Sequence, residues 1–321
     1  MSADLESAYQ GRRVCVTGGA GFIGSHLVAA LVKFGAEVSV IDDLTSGSSQ
    51  NLPTGPGQVR LVQGSILESQ ALAEAVDGAE LIFHLAALTS VPGSVEQPDR
   101  YHQVNATGTM QVLEAARAAG TKRLIYASSS SIYGDRGRGP VVETMTPQPT
   151  SPYAAAKGAG ELMLRAFVHC HGLSGISLRY FNIFGARQRP DSPYAAVIPR
   201  FAEAMLKGEK PMIYGDGTQT RDFTHVANAV QANLLAGAST KPLHGEAVNI
   251  ACGTSCSLLE LIGMMAQILG VESSYELGPS RVGEVMHSRA NIEAAAKLLG
   301  YEPVVELKDG LKEALEYYAA G

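Results

Sequence analysis

The chain has no tryptophan, only four cysteines and no apolar run long enough to span a bilayer. A membrane helix needs ~20 consecutive apolar residues, and the segment Met1 to Arg13 is polar, so neither an anchor nor a secretory leader is expected. Cys15, Cys170, Cys252 and Cys256 are too few and too scattered for a disulfide framework. Reduced thiols in a cytoplasmic protein are the expectation. Cys252 and Cys256 lack a second ligand pair at zinc-like spacing, and His169 and His171 stand apart from them, so no metal site is expected. Positive charge is also scarce. Against 31 Asp and Glu there are 25 Lys and Arg, a net charge of -6 without a basic block, which argues against nucleic acid as a partner.

With 45% hydrophobic residues among 321, the chain can bury a large core in one large or two coupled domains. Apolar, β-branched runs at Arg13 to Thr17, Glu37 to Ile41, Val59 to Gln63, Ala79 to His84, Lys122 to Ala127 and Gly175 to Tyr180 read as strands. Helical spacing falls between them at Phe22 to Phe34, Pro98 to Ala119 and Ser151 to His171. Strand and helix in turn imply an α/β fold with a doubly wound parallel sheet. After Tyr180 the elements shorten, with helices expected at Ala195 to Lys207, Val226 to Ala236, Ser257 to Leu269 and Asn291 to Leu299. The expected division is residues 1–181, joined by part of 222–252, as a Rossmann-type nucleotide-binding domain, and 182–321 as a smaller α/β substrate domain. Leu44 to Gln58, Asp135 to Pro152 and Gly185 to Pro193 are long, turn-rich connections, which favours a functional role for them.

The first strand runs into Thr17-Gly18-Gly19-Ala20-Gly21-Phe22-Ile23-Gly24 and then a helix, the setting in which a glycine fingerprint binds a dinucleotide. Absent side chains at Gly18, Gly21 and Gly24 allow a tight turn and close approach of the pyrophosphate to the N–H groups of Phe22 and Ile23. Asp42 ends the second strand, where a carboxylate accepts from the adenosine ribose hydroxyls. Asp43 beside it would repel a 2′-phosphate, which favours NAD over NADP. Further cofactor candidates are Ser46 and Gly47 in the following loop, Ser65 and Ile66 after the third strand, and Leu85, Ala86 and Ala87 after the fourth.

Tyr153 and Lys157 are four residues apart, which puts both on one face of the expected helix. A tyrosine pKa near ~10 must fall to about 7 for the phenol to act as a general base, roughly 4 kcal/mol. A neighbouring ammonium together with a nicotinamide cation would supply that. Ser129, at the end of the fifth strand, adds a hydroxyl for the same reacting oxygen. Alone, the Tyr-Lys spacing is as well explained by a packed aromatic beside a solvated lysine. After a glycine fingerprint and a serine-rich strand end, the catalytic reading is favoured.

These segments resemble the extended short-chain dehydrogenase/reductases, and among them the UDP-hexose 4-epimerases. The resemblance continues through His84-Leu85-Ala86-Ala87, Ser128 to Gly134, Ser151-Pro152-Tyr153 with Lys157, Arg179-Tyr180-Phe181-Asn182, Gly215-Asp216-Gly217, Arg221-Asp222-Phe223 and Arg281-Val282-Gly283-Glu284. It implies that Tyr153 takes the proton of the sugar 4-hydroxyl while hydride passes to NAD, and that the 4-keto sugar turns and takes the hydride back on its other face. It also implies cofactor contacts for Thr89, Asn105 and Tyr180. Substrate contacts are implied for Ser90, Ser130, Asn182, Ala196, Val197, Arg221, Arg281 and Ser288, with the arginines countering the pyrophosphate charge. A homodimer through Pro98 to Ala119 and Ser151 to His171 is the analogous expectation.

Several departures refine the resemblance. Ser130-Ser131 stands where the related dehydratases carry an Asp-Glu pair, which disfavours dehydration. Asn182 stands where UDP-glucuronate 4-epimerases usually carry threonine, which favours neutral hexoses. Ser288 aligns with a gatekeeper, and its small side chain leaves room for an acetamido group. Together with Leu88 to Pro92 and Tyr194 to Pro199, it points to UDP-N-acetylglucosamine and UDP-N-acetylgalactosamine, with UDP-glucose and UDP-galactose as a second activity. Ser65 replaces an adenine-contacting aspartate and Thr89 replaces a lysine near the nicotinamide ribose, which bears on cofactor retention. A UDP-glucuronate 4-epimerase, a net redox or decarboxylating nucleotide-sugar enzyme, and a non-catalytic NAD sensor stay open as alternatives.

Overall fold

Strands without polar alternation must be covered on both faces, and Arg13–Thr17, Leu81–His84, Arg123–Ser129 and Ser174–Tyr180 are almost wholly buried. The computed structural model describes residues 2–55, 59–190, 196–279 and 285–320. Its main sheet has seven parallel strands. They are β1 (Arg13–Thr17), β2 (Glu37–Asp42), β3 (Val59–Gln63), β4 (Leu81–His84), β5 (Arg123–Ser129), β6 (Ser174–Tyr180) and a seventh, His244–Ile250, which sequence reading did not identify. Across the sheet the order is β3, β2, β1, β4, β5, β6 and the seventh strand. The chain therefore leaves the sheet after Tyr180 and returns to it, pairing Val248 with Leu178 and Ile250 with Tyr180. Polar positions at His244, Glu246 and Asn249 hid that strand from a search for apolar runs.

The helices are α1 (Ser2–Tyr9), α2 (Phe22–Lys33), α3 (Ser69–Val76), α4 (Val91–Glu96), α5 (Pro98–His102), α6 (Gly108–Ala118), α7 (Pro152–His171), α8 (Val197–Leu206), α9 (Val226–Ala238), α10 (Leu258–Leu269), α11 (Glu293–Leu299) and α12 (Leu307–Ala320). Residues of α1, α2 and α9 pack on one sheet face, and residues of α3, α6 and α7 on the other. A separate core joins α8, α10 and α12 around Phe184, Ile213 and Phe223. The short pairings Ile183–Phe184 with Thr224–His225, Thr220–Arg221 with Cys256–Ser257, and Met212–Tyr214 with Glu276–Gly278 complete that lobe. Among the described residues, no helix is long and apolar enough to cross a membrane.

The expected single helix Pro98 to Ala119 is interrupted. Between α5 and α6, Gln103–Thr107 forms a π-helical turn. Such a turn inserts a residue and re-aims its neighbours, and here it holds Asn105 inward. The expected strand at Ala79 begins at Leu81, because the Ala79 N–H closes a turn on the Val76 carbonyl.

Candidate active site

Strand order reverses around β1, which sits between β2 and β4, and ligands of open parallel sheets bind above such a switch point. A cleft of about 1310 Å³ lies there, running from the glycine loop past Ser129 and Tyr153 to Arg221 and Ser288. Gly18 has φ +69°, and a Cβ on it would stand 2.7 Å from the Ala86 nitrogen, so the turn and the approach of β4 both require glycine. Gly21 differs. Its Cβ would meet only the Gly18 carbonyl oxygen, at 3.3 Å, and the residue lines the cleft, so the space it leaves faces a ligand. No side chain caps α2, which leaves its first N–H groups for an anion. This cradle fits a dinucleotide pyrophosphate.

Asp42 is buried and lines the cleft. Its Oδ2 accepts from the Ala20 N–H and its Oδ1 from the Leu44 N–H, both at 2.9 Å. The carboxylate keeps acceptor capacity that a ribose hydroxyl can use. Burial pushes the carboxyl pKa up, against the pull of these backbone bonds. The Ser65 hydroxyl accepts from the Leu67 N–H at 3.2 Å, so it shapes the turn before α3 as well as lining the cleft.

Three residues read from the sequence as contacts do not line the cleft. Gly47 packs against the glycine loop, where a Cβ would lie 2.8 Å from the Ala20 carbonyl carbon and 3.0 Å from Asp42 Oδ1. Asn105 is 1% exposed; its amide donates to the Leu88 carbonyl and accepts from the Leu88 N–H, both at 2.8 Å, bracing the segment that lines the cleft after β4. Val197, at the start of α8, packs on the core of its own lobe. Arg281 lies outside the described residues. The other candidate residues all line the cleft.

Behind the wall, His84 joins the two halves of the cofactor side. Its Nδ1 lies 2.7 Å from Thr17 Oγ1, and its Nε2 lies 3.0 Å from Thr109 Oγ1, which donates to the Asn105 carbonyl at 2.7 Å. Thr109 must then accept from Nε2–H, so the tautomer is fixed and Thr17 donates to Nδ1 while accepting from the Ala86 N–H. Burial, with a contribution from Lys157, holds the His84 pKa down at about 3, so the imidazole is neutral.

Ser129 ends β5 and caps the next turn. Its Oγ accepts from the Ser131 N–H at 3.2 Å and from the Ser131 hydroxyl at 2.9 Å, which leaves its own proton for Tyr153, its side-chain hydrogen-bond partner. Helix α7 starts where it does because Ser151 accepts from the Ala154 N–H at 3.2 Å and Pro152 pre-sets the first turn. That start places Tyr153 in the first turn and Lys157 in the next. The expected fall of the Tyr153 pKa is not produced by the chain alone: burial pushes it up, with only the Ser129 bond pulling it down. Burial also pushes Lys157 down to about 7, so this ammonium is an incomplete counter-charge.

Beneath Ser129 lies a buried ionic network. Arg179 grips Glu161 with two bonds, Nε to Oε1 at 2.9 Å and Nη2 to Oε2 at 2.7 Å, and Ser128 donates to the same carboxylate. Arg179 also donates to the Tyr133 hydroxyl, which donates to Asn249 on the seventh strand. Glu161, four residues beyond Lys157, was missed in the sequence; the spacing along α7 was its only signal.

At the far end, Asn182 takes φ +38° and donates to the Asp222 carbonyl at 3.0 Å. The Asp222 carboxylate is fully buried and accepts from the Cys252, Gly253 and Ala290 N–H groups at 3.0, 3.1 and 3.1 Å. It ties Arg221 and Ser288, both on the cleft wall, to the returning chain. Ser288 pairs with Thr220 through its N–H at 3.0 Å. Arg136, Arg187 and Arg189 also line the cleft and were not singled out from the sequence.

Residues 14–251 match the NAD dependent epimerase/dehydratase family. The chain belongs to this family. A UDP-N-acetylglucosamine 4-epimerase from Methanobrevibacter ruminantium M1, solved with UDP-N-acetylmuramic acid, is 37% identical and covers 97% of this chain and 99% of its own, with a TM-score of 0.92. The UDP-glucose 4-epimerase of Mycolicibacterium smegmatis is 36% identical over 310 residues, 95% of this chain and 98% of that one. A UDP-glucuronic acid 4-epimerase variant from Bacillus cereus, solved with NAD and UDP-4-deoxy-4-fluoro-glucuronic acid, is 33% identical, covers 96% and 99%, and has a TM-score of 0.88. As an epimerase/dehydratase family member the protein is an NAD-dependent enzyme, and the glycine cradle and Asp42 suit that cofactor.

Proposed function

We infer that the protein is a UDP-sugar 4-epimerase whose preferred pair is UDP-N-acetylglucosamine and UDP-N-acetylgalactosamine, with UDP-glucose and UDP-galactose as a second activity. The observation that carries the reaction class is the gathering of Ser129, Tyr153 and Lys157 on the wall of one cleft that joins a dinucleotide cradle to Arg221 and Ser288. Bound NAD supplies a reversible hydride acceptor and positive charge. Tyr153 Oη takes the proton of the sugar 4-hydroxyl and later returns it, while the Ser129 hydroxyl donates to the same sugar oxygen. Lys157, one helical turn on and packed over the Tyr126 ring, would favour the ionised phenol when it carries its proton. Gly18, Gly21, Gly24 and Asp42 hold the cofactor, and Asn182 and Arg221 take the nucleotide sugar. Ser65-Ile66 and Leu85 to Thr89 wall the cofactor side.

The small Ser288 side chain on the cleft wall supports the acetylated sugar, as does the substrate named for the Methanobrevibacter relative. A UDP-glucuronate reading draws on Arg136 and Arg189 in the same wall, since a guanidinium suits a 6-carboxylate, and on the Bacillus relative. Residues 1–181 with part of 222–252 would serve the cofactor, and 182–321 the sugar nucleotide. The four free cysteines support a reducing, cytoplasmic setting. Met110 and Leu162, on α6 and α7, are 37% and 71% exposed, which supports a homodimer through these helices.

Chromatography of UDP-N-acetylglucosamine, UDP-glucose and UDP-glucuronate after incubation with the protein, with and without added NAD, tests the reading. Formation of the 4-epimer of the acetylated sugar, fastest of the three, is the expected result. Turnover of UDP-glucuronate alone would transfer the assignment to the uronic acid, and accumulation of NADH without an epimer would replace epimerisation by net oxidation.

A further inference from the structure

The turn at residues 185–188 belongs to the substrate side, yet it is bonded to the cofactor side. Arg187 Nη1 donates to Ser25 Oγ and to the Asn51 carbonyl, both at 3.2 Å. Ser25 is the fourth residue of α2, the helix whose N-terminus forms the pyrophosphate cradle. Asn51 donates through its side chain to the Ala20 carbonyl at 3.0 Å, in the loop whose Ala20 N–H binds Asp42. One arginine thus reaches, from more than a hundred residues away, both the glycine helix and the loop that positions the ribose carboxylate.

Its backbone is fixed in an uncommon state. Arg187 has φ +66°, a left-handed conformation that is strained for a non-glycine residue and persists only where the surroundings over-determine it. They do so here. His26 Nε2 lies 3.0 Å from the Ala186 carbonyl, and the Tyr318 hydroxyl lies 3.2 Å from the Gly185 carbonyl and 2.9 Å from that of Gln188. The turn is held between α2 and α12, and Arg187 lines the cleft.

We propose that Arg187 is a cofactor clasp: its guanidinium places fixed positive charge beside the first turn of α2 and locks the substrate-side turn against the dinucleotide cradle, so that NAD leaves only when this bridge opens. The charge adds to the positive end of the helix and would be balanced by the cofactor's pyrophosphate when that is bound. Retention of NAD between turnovers then resides partly in this residue. The inference rests on NAD binding, not on which sugar is epimerised.

The test compares the purified wild type with R187A, R187K and R187Q. Acid-released NAD per chain and the rate at which bound NADH fluorescence is lost after mixing with excess NAD are the readouts, beside melts of the cofactor-free proteins. R187A is expected to exchange cofactor about 10–100-fold faster and to purify with less NAD, the size expected for one charge-assisted contact. R187K, which keeps the charge but not the two-armed donor, falls between, and R187Q follows R187A. Exchange rates in all three equal to the wild type overturn the proposal. So does an R187A protein that keeps wild-type exchange and instead raises KM for the nucleotide sugar. If R187A does not fold, R187K and R187Q decide by the same readouts: faster exchange supports the clasp, and wild-type exchange overturns it.

Discussion

Lys157 holds its ammonium nitrogen 4.5 Å from the centre of the Tyr126 ring, at an interface of α7 and β5 that leaves the lysine 3% exposed. The ring face offsets part of the cost of burying a cation, and Glu161 one turn further along α7 favours the charge as well. Burial outweighs both and holds the lysine at about 7. A lysine held there titrates near neutrality, where a solvated lysine, with its pKa above 10, stays charged.

That poise has a stability signature. The folded lysine releases its proton at about 7, while the unfolded one holds it to 10.5. Between those values the unfolded chain binds more protons, so the stability of the cofactor-free wild type, relative to Lys157→Met, is expected to rise from pH 7 to pH 10. Urea unfolding of both proteins at pH 7, 8.5 and 10 measures the difference. A flat difference would place the Lys157 ammonium in contact with water.

Removing the phenol oxygen alone tests the acid–base assignment. Tyr153→Phe keeps the ring, which is buried at the start of α7, so the fold and NAD content are expected to stay unchanged. Epimer formation should fall by about 10²–10⁴, the usual contribution of a positioned general acid or base. Near-normal turnover with normal NAD content would move the proton transfer to another group.

What is legible in the amino-acid sequence is local. The glycine loop, Asp42 at its strand end and the Tyr153–Lys157 pair each depend on spacings within one strand–helix unit, and helical or strand periodicity fixes those spacings. The residues that brace them are distant in the chain. His84 meets Thr17 and Thr109 across 67 and 25 positions, and Arg187 meets Ser25 across 162. No periodicity encodes such meetings. Asn105 shows the consequence: the family resemblance implied a cofactor contact, whereas the π-helical turn rotates its amide onto the Leu88 backbone, behind the wall.

Asp222 is expected to matter through what it holds. An asparagine there keeps one acceptor oxygen and turns the other into a donor that faces backbone N–H groups, so Asp222→Asn should cost about 1–3 kcal/mol. Its pH dependence carries a second check. Burial raises the carboxyl from 3.8 to about 7, so its contribution is complete below pH 3.8 and is lost as pH rises through 7. The variant should lack that slope in chemical denaturation between pH 4 and 8, and its KM for the nucleotide sugar should rise as the Asn182 and Ser288 segments loosen.

Ser288 decides the preferred sugar if the gatekeeper reading holds. Its N–H is fixed to the Thr220 carbonyl at 3.0 Å and its neighbour His287 is tied to the Thr220 hydroxyl, so a larger side chain at 288 projects from an anchored backbone. Ser288→Tyr is therefore expected to occupy cleft volume rather than swing aside, and to lower kcat/KM for UDP-N-acetylglucosamine by at least about tenfold, the effect of a clash or lost contact worth roughly 1.4 kcal/mol. UDP-glucose, with a hydroxyl where the acetamido group would sit, should keep most of its rate. The two substrates assayed in parallel separate this outcome from general damage: a proportional loss on both would mean that the tyrosine disturbs the Thr220 strand and that the 2-substituent is read elsewhere in the cleft.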